Sequence, residues 1–327
     1  MRVVVTGGAG FIGSHLCERL LAQGCRVVCI DNFCTSDVSN IQHLVRQRDF
    51  RLLRWDVTLP IRLGGTVDAI YHLASPASAG DYLAMPLETL RSGAMGTWNL
   101  LELAERHRAR FLLASTSEAY GNPKVHPQPE SNWGNVNPVG PRSAYAEAKR
   151  YAEALTTAYR QRRDVDAKIV RIFNTFGPRM RLDDGRVVPT FIRQALLRQP
   201  LTVTGRGTQS RSLCYVADIV EGLLKMMDSD EPGPLNLGNP HELPVRELAH
   251  RVARLTGSPS PVKLIPRPQE DPDRRRPNIT AARRLLRWEP STPLDVGLRL
   301  TINWFRQQLD LVTAQRVPDL ADAVVRP

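Results

Sequence analysis

No apolar run in this chain approaches the length of a membrane-spanning helix, which removes a helical bilayer protein from consideration. Cysteine is scarce. The five residues Cys17, Cys25, Cys29, Cys34 and Cys214 are odd in number and lack C-x-x-C spacing, and most fall in apolar elements. That pattern argues against a disulfide framework and a metal site, and for reduced thiols in a cytoplasm. No leader is expected, because Met1 opens almost directly into a core strand. The net charge of +11 is scattered, as in Arg46-Gln47-Arg48 and Arg160-Gln161-Arg162-Arg163, without interleaved aromatics. Nucleic acid is therefore not an expected partner. The excess favours anionic small substrates. Internal repeats and low-complexity tracts are also missing. The 327 residues suffice for one large α/β domain or two lobes.

What is present begins at the first residues. Arg2-Val3-Val4-Val5-Thr6 breaks into Gly7, Gly10 and Gly13, then into a helical period from Ser14 to Leu21. Strand, glycine turn and helix in this order make a phosphate cradle. Gly7 suits the tight turn, Gly10 lets the backbone approach a pyrophosphate, and Gly13 lets helix and strand pack closely. A second strand, Arg26–Ile30, ends in Asp31. A carboxylate there suits adenosine ribose hydroxyls and repels a 2′-phosphate, so NAD is expected over NADP. Asn32 opens the following loop, and a short helix is expected to about Arg48. Asp56-Val57 follows the third strand, where it would contact an adenine edge or serve as a loop cap.

Val67–Ser75 reads as a strand that runs into small residues, which leave room for a ligand at a strand's carboxyl end. A long helix is expected over Pro86–Arg108. The buried strand Phe111–Ala114 then delivers Ser115-Thr116-Ser117-Glu118. A proline-rich loop, Tyr120 to Arg142, is long enough to suggest function. It leads to Tyr145 and Lys149, which share one helical face. An ammonium near the phenol is expected to lower its pKa. After the strand Ala167–Phe173 and Asn174-Thr175, the alternation loosens into a second lobe. The expected fold is α/β, a Rossmann-type doubly wound parallel sheet with a smaller C-terminal substrate-binding lobe. Residues 1–176 form the dinucleotide domain, joined by 208–235. Residues 177–207 and 236–315 form the smaller lobe, and 316–327 a loosely held tail. The segment Asp271–Pro277 is too proline-broken for a helix.

Together the glycine turn, Asp31, the Ser/Thr/Glu cluster and Tyr145/Lys149 resemble the extended short-chain dehydrogenase/reductase family of nucleotide-sugar enzymes. Several strings are similar to its UDP-glucuronate decarboxylase branch. They are His72–Ser78, Thr116-Ser117-Glu118, Asn137–Arg142, Arg171–Met180, Asp183–Val188 and Asn236–Pro240. The 4,6-dehydratases of the family carry an Asp-Glu pair after the threonine, whereas this chain has Ser117-Glu118.

The resemblance implies NAD held by Gly7, Gly10, Phe11, Ile12, Gly13, Asp31, Asn32, Asp56, Val57, Leu73, Ser75, Tyr145, Lys149 and Thr175. It implies Tyr145 as base at the sugar C4 hydroxyl, Lys149 as its tuner, and Thr116 on the C4 oxygen. Arg275 would hold the sugar carboxylate, with Ser117 and Glu118 assisting. Asn174 and Arg211 would hold the diphosphate and uridine, and Arg91 would lie near the substrate. No metal is implied, and a homodimer paired through the two long helices is. The sequence departs from the family at two points. Tyr145-Ala146-Glu147-Ala148-Lys149 replaces Tyr-Asp-Glu-Gly-Lys, and Gly93 replaces an asparagine. A nucleotide-sugar 4-epimerase, a decarboxylase of another hexuronate and a non-catalytic NAD sensor are the alternative readings. Intact Tyr145/Lys149 and Glu118/Arg275 count against the sensor.

Overall fold

The computed structural model describes residues 1–267 and 274–316. The 317–327 part of the expected tail, and Asp271 to Asp273 of the proline-broken segment, lie outside the described residues. Strand β1 (Arg2–Thr6) leads through the glycine turn into α1 (Phe11–Ala22), β2 (Arg26–Asp31), β3 (Phe50–Arg54) and β4 (Ala69–His72). Helices α2 (Ala79–Ala84), α3 (Pro86–Arg91) and α4 (Thr97–His107) precede β5 (Arg110–Thr116), and α5 (Ser143–Arg163) precedes β6 (Ala167–Ile172). Seven strands form one sheet in the order Leu235–Leu237, β6, β5, β4, β1, β2, β3. Every pairing in it is parallel. Its central strands are buried on both faces, which is why they read as unbroken apolar runs.

The chain winds outward from β1 to β3, then crosses back to β4 and continues the other way. The strand order therefore reverses between β1 and β4, the place where such sheets open a crevice for ligands. One face is covered by α1 and the helix Val216–Asp228, the other by α4 and α5. A separate apolar core runs from Phe176 to Phe305 and builds the smaller lobe. Ile279, Ala282, Leu286 and Trp288, placed by sequence in that lobe, instead pack on the sheet-side core.

Two local expectations change. The helix expected to Arg48 is a single 3₁₀ turn, Val38–Asn40, capped by the Asp37 carboxylate accepting from Ser39 N–H. The rest of that stretch is turns, pinned by buried Ile41 and Leu44. The long helix from Pro86 is interrupted by a π-turn at Ser92–Gly96. The interruption sits where this helix crosses α5. A Cβ on Gly93 would stand 2.6 Å from Ala148 Cβ and 2.8 Å from Ala148 O. The two departures from the family pattern thus face each other. The methyl gained at position 148 occupies space that a side chain at 93 would need.

Gly93→Asn alone is expected to destabilise the fold by about 1–3 kcal/mol through overpacking. In an Ala148→Gly background the same change should cost less, a coupling that a double-mutant cycle reads directly from unfolding curves. Additive effects would show that the two positions do not share this space.

Candidate active site

A cleft of about 420 Å³ opens at the carboxyl ends of the strands, between the sheet and the smaller lobe. Gly7, Gly10, Phe11, Ile12, Gly13, Asp31, Asn32, Asp56, Val57, Leu73, Ser75 and Thr175 line it. So do Thr116, Ser117, Glu118, Tyr145, Lys149, Arg91, Asn174, Arg211 and Arg275. Every residue singled out from sequence is on the wall of this one cavity.

Its floor is the glycine turn. Gly7 has φ of +67°, a left-handed conformation that favours glycine, and a Cβ there would lie 2.9 Å from Ala74 Cα. A Cβ on Gly13 would collide with the Gly7 carbonyl. The bare backbone leaves the α1 N-terminus open to a pyrophosphate. Asp31, buried at the end of β2, accepts from Ala9 N–H (2.9 Å), Phe33 N–H (2.9 Å) and Ser36 Oγ (2.8 Å). Asp56 accepts from Thr58 N–H at 2.8 Å and from Asn32 Nδ2 at 3.0 Å. A glycine cradle with a fixed carboxylate beyond it fits a dinucleotide whose adenosine ribose is unphosphorylated.

The chemistry lies between β5 and α5. Tyr145 is buried, hydrogen-bonded with Thr116, and stacked on Tyr82 with ring centroids 5.0 Å apart. Burial pushes its phenol up to about 12, against the opposing Thr116 hydrogen bond. This corrects the expectation of a lowered value. The Lys149 ammonium donates to Ala114 O at 2.9 Å and lies 6.0 Å from the Tyr145 ring centroid, so desolvation dominates. Lys149 itself is lowered by burial to about 8, with Glu153 opposing.

Glu118 sits in the 3₁₀ turn Ser117–Tyr120, whose N-cap is Thr116. Its carboxylate lies between two arginines. Arg142 Nη2 donates to Oε1 at 3.1 Å, while Arg275 bonds Oε1 through Nη1 and Oε2 through Nη2, the latter at 3.2 Å. Burial alone would raise this carboxyl, but the Arg275 and Arg142 cations outweigh it and hold it below its ordinary value. Arg274 is exposed, Arg275 buried and Arg276 half-buried, the alternation of an extended chain.

Several cleft residues escaped the sequence reading. Arg142 was visible only as the end of Asn137–Arg142, and Arg186 only inside Asp183–Val188. Arg186 stacks over the Phe11 ring at 5.9 Å and pairs with Asp184. Arg181 crosses the cleft mouth to Asp81 at 2.7 Å. Tyr82 carries no local signal, since its meaning comes from Tyr145 stacked on it.

Residues 3–238 match the model of the NAD dependent epimerase/dehydratase family. The chain belongs to that family. It is 48% identical over 309 residues to UDP-glucuronic acid decarboxylase 1 of Xenopus tropicalis, covering 94% of this chain and 73% of that protein. It is 50% identical over 309 residues to UDP-glucuronic acid decarboxylase 4 of Arabidopsis thaliana, covering 94% and 69%. Among solved structures, UDP-glucose 4-epimerase of Thermotoga maritima with UDP-glucose superposes with a TM-score of 0.86 at 27% identity, covering 94% of this chain and 100% of that one. UDP-glucuronic acid 4-epimerase of Bacillus cereus, in complex with UDP-glucuronic acid and NAD, gives 0.81 at 27% identity, again covering 94% and 100%. Asp31→Ala is expected to weaken NAD by about tenfold or more, since a charged hydrogen bond is lost, and to narrow the gap to NADP. Titration with both nucleotides checks it, and tighter NADP binding by the unmodified protein would overturn it.

Proposed function

We propose that this cleft decarboxylates UDP-glucuronate to UDP-xylose through a 4-keto sugar, with NAD regenerated in place. The observation that carries the reading is Arg275, buried and forked around a carboxylate in the cleft that holds Tyr145 and Lys149. A carboxylate moved into a poorly hydrated cavity needs such a partner, because leaving it unpaired is costly. The pairing of Arg275 with Glu118 supports a donor set suited to a sugar carboxylate. On substrate entry the sugar acid would compete with Glu118, which keeps Arg142.

Gly7, Gly10, Phe11, Ile12, Gly13, Asp31, Asn32, Asp56, Val57, Leu73, Ser75 and Thr175 would hold the cofactor. Bound NAD supplies a reversible two-electron acceptor at C4. Tyr145 takes the C4 hydroxyl proton as that carbon is oxidised, with Thr116 holding the oxygen and Lys149 beneath them. The C5 carboxylate is then β to a carbonyl, so CO₂ leaves and its electrons enter an enolate. Arg275 orients that carboxylate for departure, and Ser117 and Glu118 orient the sugar for protonation at C5. Reduction of C4 returns the proton from Tyr145. Asn174 and Arg211 would grip the diphosphate and uridine, and Arg91 the rim.

A homodimer fits the apolar side chains Leu87, Met95 and Trp98, exposed along the helix over 86–107. Among the described residues no helix is long and apolar enough to cross a membrane. A cytoplasmic setting rests on the five free thiols.

Incubation with UDP-glucuronate and trace NAD⁺ should release CO₂ and yield UDP-xylose by NMR, with little NADH accumulating. With NAD⁺ supplied in excess, NADH formed one for one with a 4-keto pentose would mean that the intermediate escapes. UDP-galacturonate without CO₂ would make the protein a 4-epimerase instead.

A further inference from the structure

We infer that Gln128 is the positioning residue that seats Arg275 in the cleft, gripping the backbone on the far side of that arginine and tying it to the turn that carries Glu118. This rests on the reading of Arg275 as the partner of the sugar carboxylate. Arg275 sits in neither helix nor strand, so its backbone needs another anchor. Gln128 is 1% exposed although it lies in the long loop between β5 and α5. Its backbone N–H donates to Arg276 O at 2.9 Å, and its carbonyl accepts from Asn278 N–H at 2.9 Å. Its side-chain Oε1 accepts from Arg276 N–H at 2.8 Å, and Nε2 donates to Val125 O at 2.9 Å.

The grip is itself braced. Asn236, fully buried in the edge strand of the main sheet, donates through Nδ2 to Gln128 O and to Asn278 O, both at 3.0 Å. Its Oδ1 accepts from Tyr120 Oη at 2.7 Å, and Tyr120 closes the turn that carries Ser117 and Glu118. Arg275 Nη2 also reaches Gly121 O at 3.4 Å, just past that turn. Gln128 and Asn236 thus hold the backbone that follows Arg275 against the sheet, and Asn236 also holds the Tyr120 side chain at the end of the Glu118 turn. Neither lines the cleft. A side chain can be placed no better than its backbone, and a guanidinium fork loses its two-point geometry with small displacements.

The test compares Gln128→Met, which keeps length and burial but drops the side-chain hydrogen bonds to Arg276, Val125 and His126, with Gln128→Glu, which keeps an acceptor for Arg276 N–H. Arg275→Ala and the Gln128→Met/Arg275→Ala double variant are measured beside them. For each, affinity is read for UDP-glucuronate, UDP and NAD, together with turnover and thermal unfolding. Gln128→Met is expected to lose about tenfold in UDP-glucuronate affinity while UDP and NAD stay within about twofold. Gln128→Glu should retain more, and Gln128→Met should add little once Arg275 is gone. Equal weakening for all three ligands would overturn the inference, since that is what a merely structural role gives. So would an unchanged Gln128→Met beside an impaired Arg275→Ala. If Arg275→Ala itself binds UDP-glucuronate normally, the clamp reading fails, and this inference with it.

Discussion

Tyr145→Phe should lower both C4 oxidation and CO₂ release by about 10²- to 10⁴-fold, the usual loss for a general base. The two must fall together, because the carboxylate is not β to a carbonyl until C4 is oxidised. The substitution isolates the hydroxyl cleanly. A phenylalanine ring can keep the stacking on Tyr82 at 5.0 Å, so only the oxygen bonded with Thr116 is lost. NAD binding should weaken far less than turnover, because of the residues expected to hold it only Tyr145 changes while the glycine turn and Asp31 are untouched. The structure sharpens what the base requires. Burial holds its phenol up at about 12, so a role as base calls for a bound ligand that brings positive potential beside it. Nicotinamide absorbance and CO₂ followed in one sample decide the matter. CO₂ release at a near-normal rate would remove Tyr145 from the reaction.

Arg275→Ala carries the second large effect. Removing one partner of a buried ion pair costs about 3–5 kcal/mol. In turnover of UDP-glucuronate that corresponds to roughly two to three and a half orders of magnitude. The loss of fold stability should be smaller, since Glu118 keeps Arg142 at 3.1 Å. Its neighbours should be mild for different reasons. Arg274 is exposed, and Arg276 meets Gln128 through its backbone N–H and carbonyl, which alanine retains. NAD affinity should be unchanged in all three variants. If Arg275→Ala turns over UDP-glucuronate at near the normal rate, the sugar carboxylate is held elsewhere, and a hexuronate substrate loses its main support.

The elements that position this site were legible where a short-range rule applies. The β-branched run of β1 and the glycines after it form a strand and turn almost regardless of context. Tyr145 and Lys149 share a face because helical spacing places them there. Legibility failed where length and contact decide. The stretch after Asp37 has helix formers but too few residues in register to hold more than one turn. The helix from Pro86 bulges where Gly93 meets α5, a crossing that no local pattern announces.

By itself the sequence determined the glycine turn between strand and helix, the carboxylate that ends β2, and the helical face that Tyr145 and Lys149 share, because each depends on residue type and close spacing. Tertiary structure alone decided which charge stands beside which. Arg275 meets Glu118 across 157 residues, and Gln128 anchors Arg276 across 148. It also decided the sign of the shift at Tyr145. The ammonium four residues away argues for a lower pKa, but desolvation sums over everything packed around the phenol, and that sum exists only in the folded chain.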